Sequence, residues 1–497
     1  MKKFGILFIF FAYFSLSYAQ QVLTIKDCRN LALENNKQLS ISNENIKKAE
    51  WDKKNAFSQY FPNIAFTGGY IYNHKNIALL GENKYLPIGT VMPDGSFGFT
   101  PDQINNQWTS INGNPVPLDM TGNPFDPSLN PEKILWKEHA IIPKKQFELD
   151  IQSIFVGSIS LTQPIFMGGK IVAYNKIADY AKELANNMKT TNIQETILQV
   201  DQTYWQIISL INKQKLSDNY VGLLKQMNED VEALIEEGVA THADGLSIKV
   251  KLNEAEMTKL QVDNGVQLSK MLLCQLCGLP IDSSIKLFDE TIESVPVNQS
   301  TASGNAEDAL INRPEIKSLS IARKIFEKKE DLIRAEMFPS VALTGNYLIS
   351  NPNFFNGIQS KFAGTWNVGV MVNIPLFHFG EKNSRLKSAK VETRIKQLEM
   401  DEAKEKIELQ VNQSKFKIQE ARKKLIAADK NKESAEENLA YANLGFKEGV
   451  IPSSNVMEAQ TAWFKAHSEL IDAQISLRLG QVELEKALGI LDNKIEN

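Results

Sequence analysis

The chain is predicted to be mainly helical and to lend a few strands to a transmembrane β-barrel shared between copies. Three observations carry this: an internal duplication, four segments that alternate with period two, and two very long helical patterns. Residues 164–278 and 375–489 share landmarks at a constant separation of 211, among them Pro164/Pro375, Phe166/Phe377, Gly169/Gly380, Gly238/Gly449 and Gly278/Gly489. A second register, shifted by 277, pairs Phe61/Phe338, Pro62/Pro339, Thr67/Thr344, Gly68/Gly345 and Tyr70/Tyr347. Self-similarity on this scale marks two copies of one structural unit. The registers differ by 66 residues, so the first half carries an insertion of that size between Tyr70 and Pro164.

Taken in order, residues 1–19 have the pattern of a signal peptide, with Lys2 and Lys3, an apolar run from Phe4 to Phe14 and a small-x-small site at Ser17-Tyr18-Ala19. The mature chain is expected to start at Gln20, leaving 53 basic against 59 acidic residues. That mild negative charge gives no footprint for nucleic acid. No later segment has the roughly 18–20 consecutive apolar residues of a membrane-spanning helix, so any crossing must be by β-barrel.

The first repeat is placed at residues 20–278, with strands at about 61–73 and 152–164; the second at 306–490, with strands at about 338–350 and 363–375. Ile64, Phe66, Gly68, Tyr70 and Tyr72 alternate with Ala65, Thr67 and Gly69, and Trp366, Val368, Val370 and Val372 alternate with Asn367 and Asn373. An outer-membrane strand needs about 9–11 residues with one apolar face and one polar face toward a watered lumen. A β-sandwich shows the same alternation, but four strands in nearly 480 residues cannot build one of this size. Nor can four close a barrel, since spanning barrels begin at about eight. The barrel must therefore be completed by other copies.

From Gly169 to Gly238 and from Gly380 to Gly449 there is no proline, and Ile193, Ile197, Val200, Tyr204, Ile207 and Ile211 step by 4, 3, 4, 3, 4. That is the spacing of a supercoiling helix, and each would be about 100 Å long at about 1.5 Å per residue. Each ends in a glycine-marked turn, EEGVATHADG or KEGVIPSSNV, where Thr241 and Ser453 or Ser454 are expected to cap the returning helix. Residues 279–305 form a linker between the repeats, and 491–497 form a tail. Residues 74–150, with nine of the eighteen prolines, form the insertion, a long loop that in a barrel lies outside the cell.

Cys28, Cys274 and Cys277 are too few for a disulfide scaffold. The lone CxxC at the end of an apolar helix has neither the extra ligands of a zinc site nor a βαβ context, so its cysteines are expected to pack in a core. His242 at the first turn is expected to be a solvated loop residue. No nucleophile with a paired base, phosphate-binding loop or dinucleotide fingerprint is present, so neither an enzyme nor a cofactor or metal is expected.

FKEGVIPSSNVMEAQ (Phe446–Gln460), its partner IEEGVATHADGLSIK, the twins FPNIAFTGGY and FPSVALTGNY, and QPIFMGGK with IPLFHFGEK together make the chain resemble the TolC-like outer-membrane efflux proteins over all but the insertion. The resemblance implies a homotrimer whose twelve strands close one barrel in outer-membrane lipid, above a periplasmic tunnel of antiparallel helices. It implies a passive exit duct of a tripartite efflux or type I secretion system, joined through a periplasmic adaptor to an inner-membrane transporter. The two glycine turns would form the tunnel tip, with Gly238, Val239, Gly449, Val450 and Ser453 as adaptor contacts. Acidic residues six and nine positions after the glycines form an aperture ring in the family; here the matching positions hold Asp244, Asn455 and Glu458. The family's latch arginine and tyrosine are replaced by Ile451 and Phe446, which makes these the candidates for an apolar closure. The alternative expectation is a surface receptor or structural module that binds an external ligand through residues 74–150. Drug, metal and polypeptide cargo remain equally open.

Overall fold

The computed structural model describes residues 22–88, 90–98, 107–118, 121–124, 126, 139–291, 304–355 and 359–491. The expected signal peptide, most of the tail, residues 292–303 of the linker and parts of the insertion lie outside the described residues. The chain divides into two compact units. One holds Gln59–Met167 and Pro339–Ile374; the other holds the segments up to Ser58, Gly168–Phe338 and from Pro375 onward.

The first unit is built on an antiparallel sheet of β1 (Asn63–Tyr72), β2 (Ser153–Met167), β3 (Ser340–Asn351) and β4 (Ala363–Asn373). Across the sheet the order is β4-β3-β2-β1, so the two repeats meet where β2 pairs with β3. Tyr70 lies opposite Phe155, and Tyr347 opposite both Ile159 and Trp366. Because side chains alternate along every strand, this register gathers Phe66, Tyr70, Phe155, Ile159, Tyr347, Trp366, Val368 and Val370 onto one face. The other face collects Thr67, Ser158, Ser160, Thr162, Thr344, Asn346 and Asn367. Phe66 and Trp366 are 72% and 73% exposed, an arrangement that water disfavours and hydrocarbon favours. β2 continues to Met167, past the expected end at 164, because its ladder with β3 resumes after a register shift between Pro164 and Phe166. The insertion folds as short two-stranded ladders, including Lys84–Pro87 with His139–Ile142 and Trp108–Ile111 with Asn114–Pro117.

The second unit contains α1 (Ile25–Asn35), α2 (Lys37–Ser58), α3 (Lys170–Glu236), α4 (His242–Leu276), α5 (Ala306–Asn312), α6 (Pro314–Ala335), α7 (Glu381–Lys447) and α8 (Ser453–Ala487). α3 and α7 each run 67 residues, and α4 and α8 each 35. Both long helices are entered through a left-handed glycine, Gly169 or Gly380. The buried side of α7 holds Ile407, Val411, Ser414, Ile418, Ala421, Ala428, Ala435, Leu439 and Ala442. That stripe keeps the 3.5-residue spacing of a coiled-coil seam, and within it Ile407, Val411, Ile418 and Ala421 share a core with Leu477 and Leu484 of α8. None of the helices is long and apolar enough to cross a membrane, among the described residues.

The duplication is preserved down to single contacts. Asn36 Nδ2 donates to the Leu276 carbonyl at 3.0 Å, and Arg313, its counterpart at the 277 offset, donates to the Ala487 carbonyl at 3.3 Å. A Cβ on Gly278 would meet Asn35 Cβ at 2.5 Å, and one on Gly489 would meet Arg313 N at 3.0 Å, so each glycine admits the start of its own repeat. Cys28, Cys274 and Cys277 are fully buried in a core with Tyr204, Ile207, Ile208 and Leu273. Part of the expected linker is ordered there, Lys286–Leu287 pairing in parallel with Val22–Leu23.

Candidate functional site

The helical turn from α3 into α4 is closed by its own backbone. Gly238 has φ +75°, its N–H donates to the Ile235 carbonyl at 3.0 Å, and Val239 N–H donates to Leu234 at 2.8 Å. The turn from α7 into α8 repeats this, with Gly449 at φ +72°, its N–H on Phe446 at 2.9 Å and Val450 N–H on Gly445 at 2.8 Å. Paired bonds of this kind satisfy carbonyls left over at a helix end, and the left-handed residue between them favours glycine. A Cβ on Gly238 or Gly449 would meet nothing within 4 Å, so the surface in front of each turn is open. Val239 and Val450 stand 74% and 77% exposed beside them.

Asp244 folds back on the turn. Its Oδ2 accepts from Thr241 N at 3.0 Å and Thr241 Oγ1 at 2.7 Å, while Asp244 N donates to Thr241 Oγ1 at 3.2 Å. This reciprocal capping box starts α4. The bonds from Thr241, the hydroxyl's first, hold the carboxyl below the usual aspartate range, so it is ionised throughout neutral and mildly acid conditions. At the second turn Pro452 takes the capping position and no side chain caps α8. Ser453, expected as a cap, is instead 7% exposed in the first helical turn. Asn455 and Glu458 are exposed.

Val231 and Ile248 of the first hairpin pack with Leu439, Ala442 and Val456 of the second, and Phe446, Ile451 and Ile235 fill the edge of that cluster. Ile451 covers Gly445, where a Cβ would meet it at 3.2 Å. Both closure candidates are thus brought together, partly buried within one chain. Higher on the hairpins, Tyr220 stacks on Phe464 at 4.7 Å and its hydroxyl lies 3.2 Å from Thr461 Oγ1. Sequence spacing did not single out this link between α3 and α8; two aromatics on distant helices offered no signal. His242 is exposed at the turn, and no cluster of three or more potential metal ligands occurs among the described residues.

A sheet apolar on one face and rich in Ser, Thr and Asn on the other, joined to helical hairpins of this length, defines an outer-membrane channel with a periplasmic helical section. The family model for outer membrane efflux proteins matches residues 146–279 and 305–490, and the chain belongs to that family. It is 20% identical over 339 residues to the alkaline protease secretion protein AprF of Pseudomonas aeruginosa, covering 68% of this chain and 70% of that protein. With outer membrane protein TolC of Escherichia coli the identity is 20% over 353 residues, covering 68% and 70%. The fold matches the crystal structure of the Campylobacter jejuni CmeC outer membrane channel with a TM-score of 0.69 at 15% identity, over 94% of this chain and 86% of that one. The chain is accordingly a TolC-like efflux protein of the outer membrane, which sets aside the receptor alternative.

Proposed function

We propose that three copies form one passive exit duct, serving an inner-membrane transporter through a periplasmic adaptor. The single observation that carries the reading is the four-stranded sheet, which is two-faced like a barrel wall and, among the described residues, leaves β1 and β4 unpaired on their outer edges. Four strands are too few to close, so three chains supply the twelve that the family's barrel needs. Exposed apolar side chains on the helices support the same assembly: Leu409, Phe416 and Ile426 on α7, and Leu246, Val250, Met257 and Leu260 on α4. Water disfavours such stripes unless another copy covers them.

At the tip, Gly238, Val239, Gly449 and Val450 form the adaptor-docking surface, with Ser453 supporting it from within α8. Asp244 and Glu458 from three copies place six carboxylates around the axis, with Asn455 between them, and favour cations in a narrow aperture. Phe446 and Ile451 replace a polar latch by apolar packing. Opening follows when the adaptor binds the splayed hairpins more tightly than the closed ones. Secretion of a protease, named for AprF, makes polypeptide one candidate cargo, beside small molecules.

The test is complementation. Gly238→Asn and Gly449→Asn keep a residue tolerant of positive φ and add a side chain where docking needs none. Export is expected to fall at least tenfold while oligomer assembly is unchanged; normal export by both variants would remove the docking assignment.

A further inference from the structure

We infer that the free edge of β4 in one copy pairs with the free edge of β1 in the next in one fixed register, with Met371 opposite Gly69 and Val370 opposite Tyr70. The inference rests on the shared-barrel reading and adds the residue pairs that build the seam. β3 is the counterpart of β1 at an offset of 277, and β4 is the counterpart of β2 at 211. The pairing within each repeat obeys both offsets to the residue. Tyr70 opposite Phe155 becomes Tyr347 opposite Trp366; Phe66 opposite Ile159 becomes Leu343 opposite Val370; Asn63 opposite Thr162 becomes Ser340 opposite Asn373. All three second-repeat pairs are present.

The ladder between repeats, β2 with β3, is then the template for the ladder between copies. Ser160 opposite Asn346 maps to Met371 opposite Gly69, and Ile159 opposite Tyr347 maps to Val370 opposite Tyr70. Gly157 opposite Ile349 maps to Val368 opposite Tyr72, Thr162 opposite Thr344 to Asn373 opposite Thr67, and Gln163 opposite Leu343 to Ile374 opposite Phe66. The mapped seam places β-branched side chains against aromatics on the lipid face, a favourable cross-strand pairing. It also keeps the faces in phase: a slip of one residue would turn every side chain to the wrong side.

The end of β4 supplies an independent observation. β2 runs on through Phe166, which opposes Val341 after the shift at Pro164. Pro375 and Phe377 repeat those landmarks, yet β4 stops at Asn373, and Leu376 and Phe377 are 88% and 73% exposed. The strand that would oppose them is the counterpart of β3, namely β1, and within one chain it lies at the far edge of the sheet. Three strand spacings of about 4.8 Å separate the edges by about 14 Å, so the pairing must come from another copy. There, Phe377 opposes Ile64.

Cysteine cross-linking tests the register. Gly69→Cys/Met371→Cys is made in the full chain and oxidised with copper phenanthroline in outer membranes of the producing cell. Directly opposed residues have Cα atoms about 4.5–5.5 Å apart, within the range a disulfide spans. A two-residue slip adds nearly 7 Å along the strand. A Cβ on Gly69 meets nothing within 4 Å, so the substitution leaves its surroundings in place. The comparison pairs are Thr67→Cys/Met371→Cys and Ile71→Cys/Met371→Cys. Ser160→Cys/Asn346→Cys is the intrachain equivalent and the positive control for oxidation. The expected result is a reducible ladder of dimer and trimer for the opposed pair, at least tenfold stronger than for either slipped pair or any single cysteine. A stronger ladder from a slipped pair would overturn the register and leave the shared barrel standing. Absence of interchain links in all three pairs, with the intrachain control oxidised, would overturn both.

Discussion

Thr241 and Asp244 divide one small task between them, and the division is measurable. Removing an N-cap hydroxyl costs about 1 kcal/mol of local helix stability. Thr241→Ala is therefore expected to speed amide exchange over the first turn of α4, read by hydrogen–deuterium exchange, while the Asp244 carboxyl returns toward its ordinary range. The sign of the pH effect follows from the lowered carboxyl. Its stabilisation is complete above the ordinary aspartate pKa and is lost as pH falls through the lower folded value, so protection of this turn should be flat from pH 5 to 8. A second residue-scale prediction concerns Arg29, whose Nε donates to the buried Asp201 at 2.7 Å. Burial pushes the Asp201 carboxyl upward despite this partner. Arg29→Leu strands that carboxylate and should destabilise the helical unit by about 3–5 kcal/mol, seen as a lower melting temperature in detergent. Arg29→Leu/Asp201→Leu should recover most of the loss; an equally unstable double variant would refute the account of the pair.

At the scale of elements, the strands and long helices were legible because each carries a periodicity, of two or of 3.5, across many residues. The duplication then confirmed each element against its twin. The capping of α4 was legible from Thr241, whose position before the helix is a local signal, whereas the reciprocal bonds from Asp244 emerge only in the structure. The start of α8 was not, because Pro452 occupies the position that Ser453 was expected to fill, and the choice between adjacent capping residues depends on turn geometry. The extension of β2 past Pro164 was hidden for a different reason: it depends on β3, far away in sequence. Likewise the insertion's short ladders depend on pairings such as Lys84–Pro87 with His139–Ile142, where neither partner has room for a pattern. The two faces of β4 offer an element-scale test. Val370→Lys places a charge toward hydrocarbon and should cost about 2–4 kcal/mol near the membrane midplane, reducing the SDS-resistant oligomer. Asn367→Lys, on the polar face, should assemble at nearly normal yield.

For the whole molecule, the family assignment and the two-faced sheet agree on an outer-membrane duct, and the remaining question is what its tip admits. The proposed tip residues rest on the family resemblance of two local glycine turns, whereas their arrangement around an axis involves copies that one chain does not contain. Neither Asp244 nor Glu458 belongs to the buried hairpin cluster of Val231, Ile248 and Val456. The most direct test is single-channel conductance of the purified protein in planar bilayers, wild type against Asp244→Ala/Glu458→Ala. A water-filled duct with an acidic aperture predicts discrete cation-selective steps in the wild type and a marked loss of selectivity in the double variant. Steps without cation selectivity, or selectivity unchanged by the double substitution, would contradict the aperture; an oligomer that inserts yet never conducts would contradict it too, placing control of flow in the apolar closure of Phe446 and Ile451.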